Sequence, residues 1–242
     1  INTLQKQGKK IDVVLKKAKK IPQQIQEKEQ RYVAFQQEVM SLLQSLPNLV
    51  HDAVPYGASA EENVVIRKWG KIPKFSLHVK NHVEVLERLD VDDFDASASS
   101  SGHGFYFLKG DFALLNQALL RFALDFMLAK KYTYIEPPLL LRKPVLAAAM
   151  DMKAFEQSIY HVDHEDQCLI GTSEHSLLAL HAGQVLHDLP KKYFSYSMCF
   201  RKEIGAHGIH EKGLWRTHQF NKVEQFVFCS KEDSWKLYEE LL

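Results

Sequence analysis

The chain has 242 residues, 45% of them hydrophobic and 25% charged, which is the composition of an ordinary globular protein. It contains no uninterrupted apolar run of about 18 residues, so the sequence supports no transmembrane helix, and it lacks the charged start and apolar core of a signal peptide. The net charge of +1 hides an asymmetry: residues 1–46 hold nine Lys or Arg against four Asp or Glu, leaving 22 basic and 26 acidic residues in 47–242.

In chain order, the first segment repeats every seven residues. Leu4, Ile11, Ala18, Ile25, Tyr32, Val39 and Leu46 occupy one position of the repeat, and Gln7, Val14, Ile21, Lys28, Phe35 and Leu42 follow three residues later. That spacing predicts a coiled-coil helix, bent or locally broken at Pro22, whose partner helix is not found downstream. Its dense lysines, Lys6, Lys9, Lys10, Lys16, Lys17, Lys19 and Lys20, suit a phosphate backbone or a solvated helix face. The opening Ile1 leads to the expectation that the chain begins inside a longer protein.

Pro47 ends this helix, since proline disfavours helical geometry in the residue before it. Residues 47–104 read as a connector, with a short strand at Val64–Ile66, a short helix at Val83–Leu89 and a serine-rich linker over 90–104. From Phe105 strands and helices alternate. Strands are expected at Phe105–Leu108, Tyr132–Glu136, Gln167–Ile170, Ser195–Arg201 and Gln219–Phe228. Helices are expected after Asp111 as cap, with the apolar stripe Phe112, Leu115, Leu119, Phe122 and Phe126, at Pro144–Met150 and at Glu174–His181.

Three polar clusters interrupt these apolar segments: Gly171–Glu174, Phe200–Glu203 and Leu214–Glu224. The last two flank a loop containing Gly205, His207, Gly208, His210 and Gly213, and so form a hairpin. Arg216, His218, Phe220, Lys222 and Glu224 share parity on the returning strand, hence one face. Such a face is costly to bury unless it meets a ligand; the other reading is a surface ion-pair hairpin. Arginine forks suit phosphate oxygens, a flat ring suits a base, and carboxylates suit an amino group. That set fits a nucleoside triphosphate with a small amine. The twelve histidines show no zinc-ligand spacing, and three scattered cysteines, Cys168, Cys199 and Cys229, point to a reducing compartment.

The Phe-Arg-x-Glu at 200–203 and the Arg-x-His-Gln-Phe-x-Lys-Val-Glu-Gln-Phe at 216–226 resemble motif 2 of class II aminoacyl-tRNA synthetases, in the form typical of seryl-tRNA synthetases. Gly171–Glu174 is similar to that family's serine-binding Thr-x-Glu element, Leu114–Pro138 to motif 1, and Asn2–Gln7 and Leu46–Val50 to the tip and exit of its tRNA-binding arm. The resemblance implies an α+β, antiparallel-sheet class II catalytic core, present in part, with an N-terminal long-helix coiled-coil arm. It divides the chain into 1–46 (arm), 47–104 (connector) and 105–242 (catalytic domain with motifs 1 and 2).

The implied activity is serine–tRNA ligation with ATP and Mg2+ as cofactors, tRNA(Ser) and L-serine as partners, and a cytoplasmic homodimer formed through motif 1. Arg201 and Arg216 would be catalytic; Arg201, Glu203, Arg216, Thr217 and Phe220 would bind ATP. Thr172, Ser173, Glu174, Arg201 and Glu224 would bind serine, and Lys6, Lys16, Lys17, Lys19 and Lys20 tRNA. Motif 3 and the acidic magnesium ligands are expected beyond Leu242, so no metal ligand is expected within the chain. The alternative is a truncated or non-catalytic paralogue that binds tRNA.

Overall fold

The computed structural model describes residues 12–204 and 212–242. Lys6, the arm-tip residues and the loop residues Gly205, His207, Gly208 and His210 lie outside them. The chain separates into two compact units, Ile1–Trp69 and Gly70–Leu242, so the division falls inside the expected connector.

In the first unit, α1 (Asp12–Ser45) is 34 residues of continuous helix, about 50 Å at about 1.5 Å per residue. Pro22 sits inside it without ending it. The heptad seam is exposed along its length, from Ile25 at 50% through Tyr32 and Phe35 to Leu46 at 66%. A helix cannot bury such a stripe alone, so the seam lacks a partner within the described residues of this unit. The expected strand at 64–66 is irregular, exposed chain.

The second unit opens with α2 (His82–Leu89), begun by a capping box in which Asn81 accepts from Glu84 N and Glu84 accepts from Asn81 N. Where a serine-rich linker was expected, α3 (Phe94–Ser101) forms. Asp93 caps it by accepting from Ala96 N. The buried Ser97 hydroxyl lies 2.9 Å from both the Phe94 and Phe105 carbonyls. Serine there packs and bonds backbone carbonyls, which its low-complexity setting concealed. The expected strand at Phe105–Leu108 reduces to one bridge, Asp92 to Leu108, flanked by bonds from Asp93 N to Phe107 O and from Lys109 N to Val91 O.

The next helix, α4 (Gly110–Ala129), starts one residue before the expected cap Asp111. Lys109 holds the cap position without a side-chain bond, and Asp111 lies in the first turn, where its charge favours the helix dipole. Its packed side carries Asn116, Leu120, Leu124 and Met127. Of the expected apolar stripe, Phe112 is half-buried, while the other four residues face outward, with Leu115 at 60%, Leu119 at 64%, Phe122 at 66% and Phe126 at 52% exposure. By length and composition α4 is the one helix among the described residues that could cross a membrane, a signal that run length misses because Arg121 and Asp125 interrupt it.

Three strands form the main sheet in the order β1 (Thr133–Tyr134), β4 (Lys191–Phe200), β5 (Gln219–Phe228). β1 lies parallel to β4, and β4 pairs antiparallel with β5 through ten residues, from Lys191 opposite Phe228 to Phe200 opposite Gln219. β2 (Leu140–Arg142) and β3 (Gln167–Leu169) make a separate antiparallel pair. α5 (Lys143–Ala149), α6 (Met152–Phe155), α7 (Ser173–Leu180) and α8 (Ser234–Leu241) complete the unit.

Phe194, fully buried, joins Met127 and Tyr132 under the sheet, with Leu124, Val223, Val227 and Leu241 around them. A buried phenylalanine of this kind contributes about 3–5 kcal/mol against truncation to alanine. A second core gathers Leu146, Ile159 and Cys168. The two are tied together where Phe200 N donates to Ile170 O, which sets β3's end beside β4's end.

Candidate active site

The antiparallel register places Glu224 opposite Ser195, Lys222 opposite Ser197 and Phe220 opposite Cys199. Directly opposed residues share a face, so small side chains from β4 floor the site beneath the long polar ones from β5. Ser195, Ser197 and Cys199 are buried, and burial pushes the Cys199 thiol up. The Ser195 hydroxyl has no hydrogen-bond partner.

Glu224 is the hub. Its Oε2 accepts from the Thr172 hydroxyl at 2.5 Å, the Ser173 hydroxyl at 2.7 Å and Glu174 N at 3.2 Å. Its Oε1 accepts from Lys222 Nζ at 2.6 Å, and the same ammonium donates to Thr172 Oγ1 at 2.8 Å. Thr172 is the N-cap of α7, so the carboxylate sits at a helix N-terminus, where the dipole favours negative charge. Burial opposes the ionisation of Glu224, but the bonds from Lys222, Thr172 and Ser173 outweigh it and hold its carboxyl below the usual glutamate range.

Beside this cluster opens a cavity of about 600 Å3, lined among others by Thr172, His175, Arg201, Glu203 and Arg216. Arg201 Nε donates to Gly171 O at 3.1 Å, and its guanidinium lies 5.3 Å from the centre of the Phe220 ring. Arg216 pairs with Glu203 at 2.9 Å, so a carboxylate meets one of the two cations that share the cleft. Glu203 has φ 48, the left-handed region that side chains rarely adopt.

His218 acts on the backbone: its N–H donates to Gly104 O, its carbonyl accepts from Arg201 N, and its Nδ1 lies 2.9 Å from Arg201 O. A carbonyl oxygen only accepts, so Nδ1 carries the proton. These bonds pin the main chain at Arg201.

The expected site residues therefore divide. Thr172, Ser173 and Glu224 meet through side chains, while Glu174 contributes its backbone N–H and keeps an exposed side chain. Arg201, Glu203 and Arg216 line the large cavity. Phe220 and Thr217 instead line a smaller one of about 280 Å3 with Tyr106, Phe112 and Asn116. Among the tRNA-binding candidates, Lys16, Lys17, Lys19 and Lys20 lie on α1 and are exposed. Lys222 and the cavity wall from Leu146 to Ile159 were not among the expected site residues. Parity with Glu224 was available for Lys222; nothing local marked the wall. Burial lowers the pKa of His175, whose Nδ1 has no partner, so this cavity-wall imidazole favours its neutral form.

The chain is similar to known proteins over most of its length. Residues 157–242 match the family described as tRNA synthetase class II core domain (G, H, P, S and T). A serine–tRNA ligase of Nitrosopumilus maritimus is 40% identical over 239 residues, covering 98% of this chain and 57% of that protein. The crystal structure of seryl-tRNA synthetase from Pyrococcus horikoshii complexed with ATP superposes with a TM-score of 0.85 at 37% identity, covering 100% of this chain and 59% of that one. A cytoplasmic serine–tRNA ligase of Naegleria fowleri in complex with AMP gives 0.79 at 31% identity, over 90% of this chain and 48% of that one. The chain thus spans somewhat over half the length of the curated relatives it matches.

Proposed function

We propose that this chain, which belongs to the seryl-tRNA synthetase family, acts as a serine–tRNA ligase, converting L-serine and ATP to seryl-adenylate and passing the seryl group to the 3′ end of tRNA(Ser). The observation that carries this reading is Glu224, held ionised by Lys222, Thr172 and Ser173, with its partner Thr172 lining a cavity together with Arg201 and Arg216. A fixed carboxylate suits the substrate ammonium, and two arginine forks suit the triphosphate. The serine carboxylate is already ionised at neutral pH and attacks the α-phosphorus while pyrophosphate leaves. No general base is needed, so catalysis rests on positioning and on stabilising negative charge. The seryl carbonyl is then attacked by a ribose hydroxyl of the tRNA, and AMP leaves.

In this reading Arg201 holds the α-phosphate and the nearby serine carboxylate, and Arg216 exchanges its pairing with Glu203 for the γ-phosphate. Glu203 turns to the adenine amino group, Phe220 supplies the stacking face, and Thr217 backbone lines the site. Thr172, Ser173, Glu174 and Glu224 surround the serine. Magnesium would neutralise the phosphates, but no group of three or more His, Cys, Asp or Glu that could hold it comes together among the described residues, and no step is routed through it. Serine-dependent ATP–pyrophosphate exchange by the full-length protein tests the proposal; exchange no higher than without amino acid would sink it. A non-catalytic tRNA-binding paralogue is not favoured, since it would have no use for Arg201 and Arg216 lining one cavity beside the Glu224 cluster.

The remaining assignments belong to the same reading: 1–46 as tRNA-binding arm, 47–104 as connector and 105–242 as catalytic domain. If the basic arm grips tRNA backbone, reversing Lys16, Lys17, Lys19 and Lys20 to Glu should weaken tRNA binding at least about tenfold in filter-binding assays. Serine activation should be unchanged; equal loss of both would count against the arm. The exposed stripe Leu115, Leu119, Phe122 and Phe126 on α4 is read as covered by a second copy of the chain through motif 1. Leu119→Glu with Phe122→Glu is then expected to shift the full-length protein from dimer to monomer in sedimentation, whereas an unchanged sedimentation coefficient would refute that interface.

A further inference from the structure

We propose that His82, on α2, is a positioning residue for Arg216, clasping the return arm of the 200–226 hairpin from outside the sheet; this rests on the reading of the cavity as an ATP site. β5 begins only at Gln219, so no strand pairing holds Lys212–His218, the stretch that carries Arg216. At its far end His218 is fixed by Gly104 O and Arg201. At its near end the main holder is the His82 imidazole: Leu214 N lies 3.0 Å from Nε2 and the Trp215 indole nitrogen 2.9 Å from Nδ1, and whichever ring nitrogen is unprotonated accepts. The two rings meet edge to face, centroids 5.3 Å apart at 78°.

The arm lies so close that a Cβ on Gly213 would stand 2.5 Å from His82 Nε2, and Gly213 has φ 145, so glycine suits the position on both counts. Trp215 is 85% exposed; burial does not explain its place, and the imidazole does. His82 is itself held, since it opens α2 directly behind the Asn81–Glu84 capping box. Lys212 adds an exposed ion pair with Asp95 at 2.9 Å, a minor contribution. A neutral imidazole carries a lone pair on one ring nitrogen only, so its two tautomers hold the arm at different points, Leu214 in one and Trp215 in the other.

From α2 the constraint passes through Leu214 and Trp215 to the next residue, Arg216, and on to Glu203. His82→Ala in the full-length enzyme is expected to raise the KM for ATP in pyrophosphate exchange about tenfold, with the KM for serine within about twofold and the melting temperature nearly unchanged. Trp215→Phe removes the indole donor but leaves the Leu214 N–H to bond the imidazole in its other tautomer, so it is expected to act more weakly. The double variant should be no worse than His82→Ala, as members of one clasp are non-additive. His82→Gln keeps an acceptor and should recover part of the loss. A KM for ATP within about twofold of wild type, or equal rises in both KM values, would overturn the proposal. Amide hydrogen exchange over Lys212–Thr217 reads the clasp without any reaction. His82→Ala should speed it about tenfold, and unchanged exchange refutes the clasp, whereas a wild-type protein without serine-dependent activity refutes the ligase reading alone.

Discussion

Replacing Arg201 with alanine is expected to lower serine-dependent ATP–pyrophosphate exchange by about 10²–10³-fold, the usual loss when one preorganised donor to a developing negative charge is removed. The expectation rests on how firmly the side chain is aimed. Its Nε is spent on Gly171 O, its guanidinium carbon lies 5.3 Å from the centre of the Phe220 ring, and its main chain is bonded on both sides to His218. The guanidinium's remaining N–H groups have no side-chain carboxylate within salt-bridge reach among the described residues, so they are available to phosphate oxygens. Arg201→Lys should restore little, because an ammonium cannot span two oxygens as a planar fork does. Arg201 is exposed, so the alanine variant should unfold within about 0.5 kcal/mol of wild type. Exchange within about threefold of wild type would remove Arg201 from the catalytic machinery.

The hairpin that carries this arginine was legible in the sequence because its signals are local. Alternation over Gln219–Phe228 fixed the strand, and parity alone put Phe220, Lys222 and Glu224 on one face, where the register with β4 confirms them. The helix α7 was legible too, over Glu174–His181, whereas Thr172 stood out only within a polar cluster and its role as N-cap emerges from the fold. What stayed hidden depends on contacts distant in the chain. α4 has apolar residues on more than one side, and periodicity cannot say which side meets the sheet; it picked Leu115, Leu119 and Phe122, while Leu124 and Met127 pack. Likewise Ser97 in a serine run gives no sign that it will bridge to Phe105 across eight residues, and nothing near His82 in sequence points to Trp215, 133 residues away. The bond from Thr172 to Glu224 likewise spans 52 residues, and only the motif pattern joined them.

Glu224→Gln, which keeps the shape and removes the charge, is expected to raise the KM for serine about a hundredfold, close to 2.7 kcal/mol at about 1.36 kcal/mol per tenfold. The KM for ATP should change little. An unaltered KM for serine would show that the carboxylate serves only the fold. It also serves the fold: it receives four donors, and its side chain is 15% exposed beside a Lys222 that is 31% exposed. Glu224→Ala should therefore cost about 1.5–3 kcal/mol of stability, as hydrogen bonds to a charged group do, by leaving Lys222, Thr172 and Ser173 without their common acceptor. The pH dependence separates charge from shape. Because the folded-state pKa of Glu224 lies below its ordinary value of about 4.3, the unfolded chain takes up the proton first as pH falls. Its charge-dependent stabilisation is thus complete above that value and is lost as pH drops toward the lower folded pKa. Urea unfolding should show wild type and Glu224→Gln furthest apart near pH 7 and converging below about pH 4. A gap that stayed constant with pH would mean that the hydrogen-bonding shape of the side chain, and not its charge, holds Thr172 and Ser173 at the end of α7.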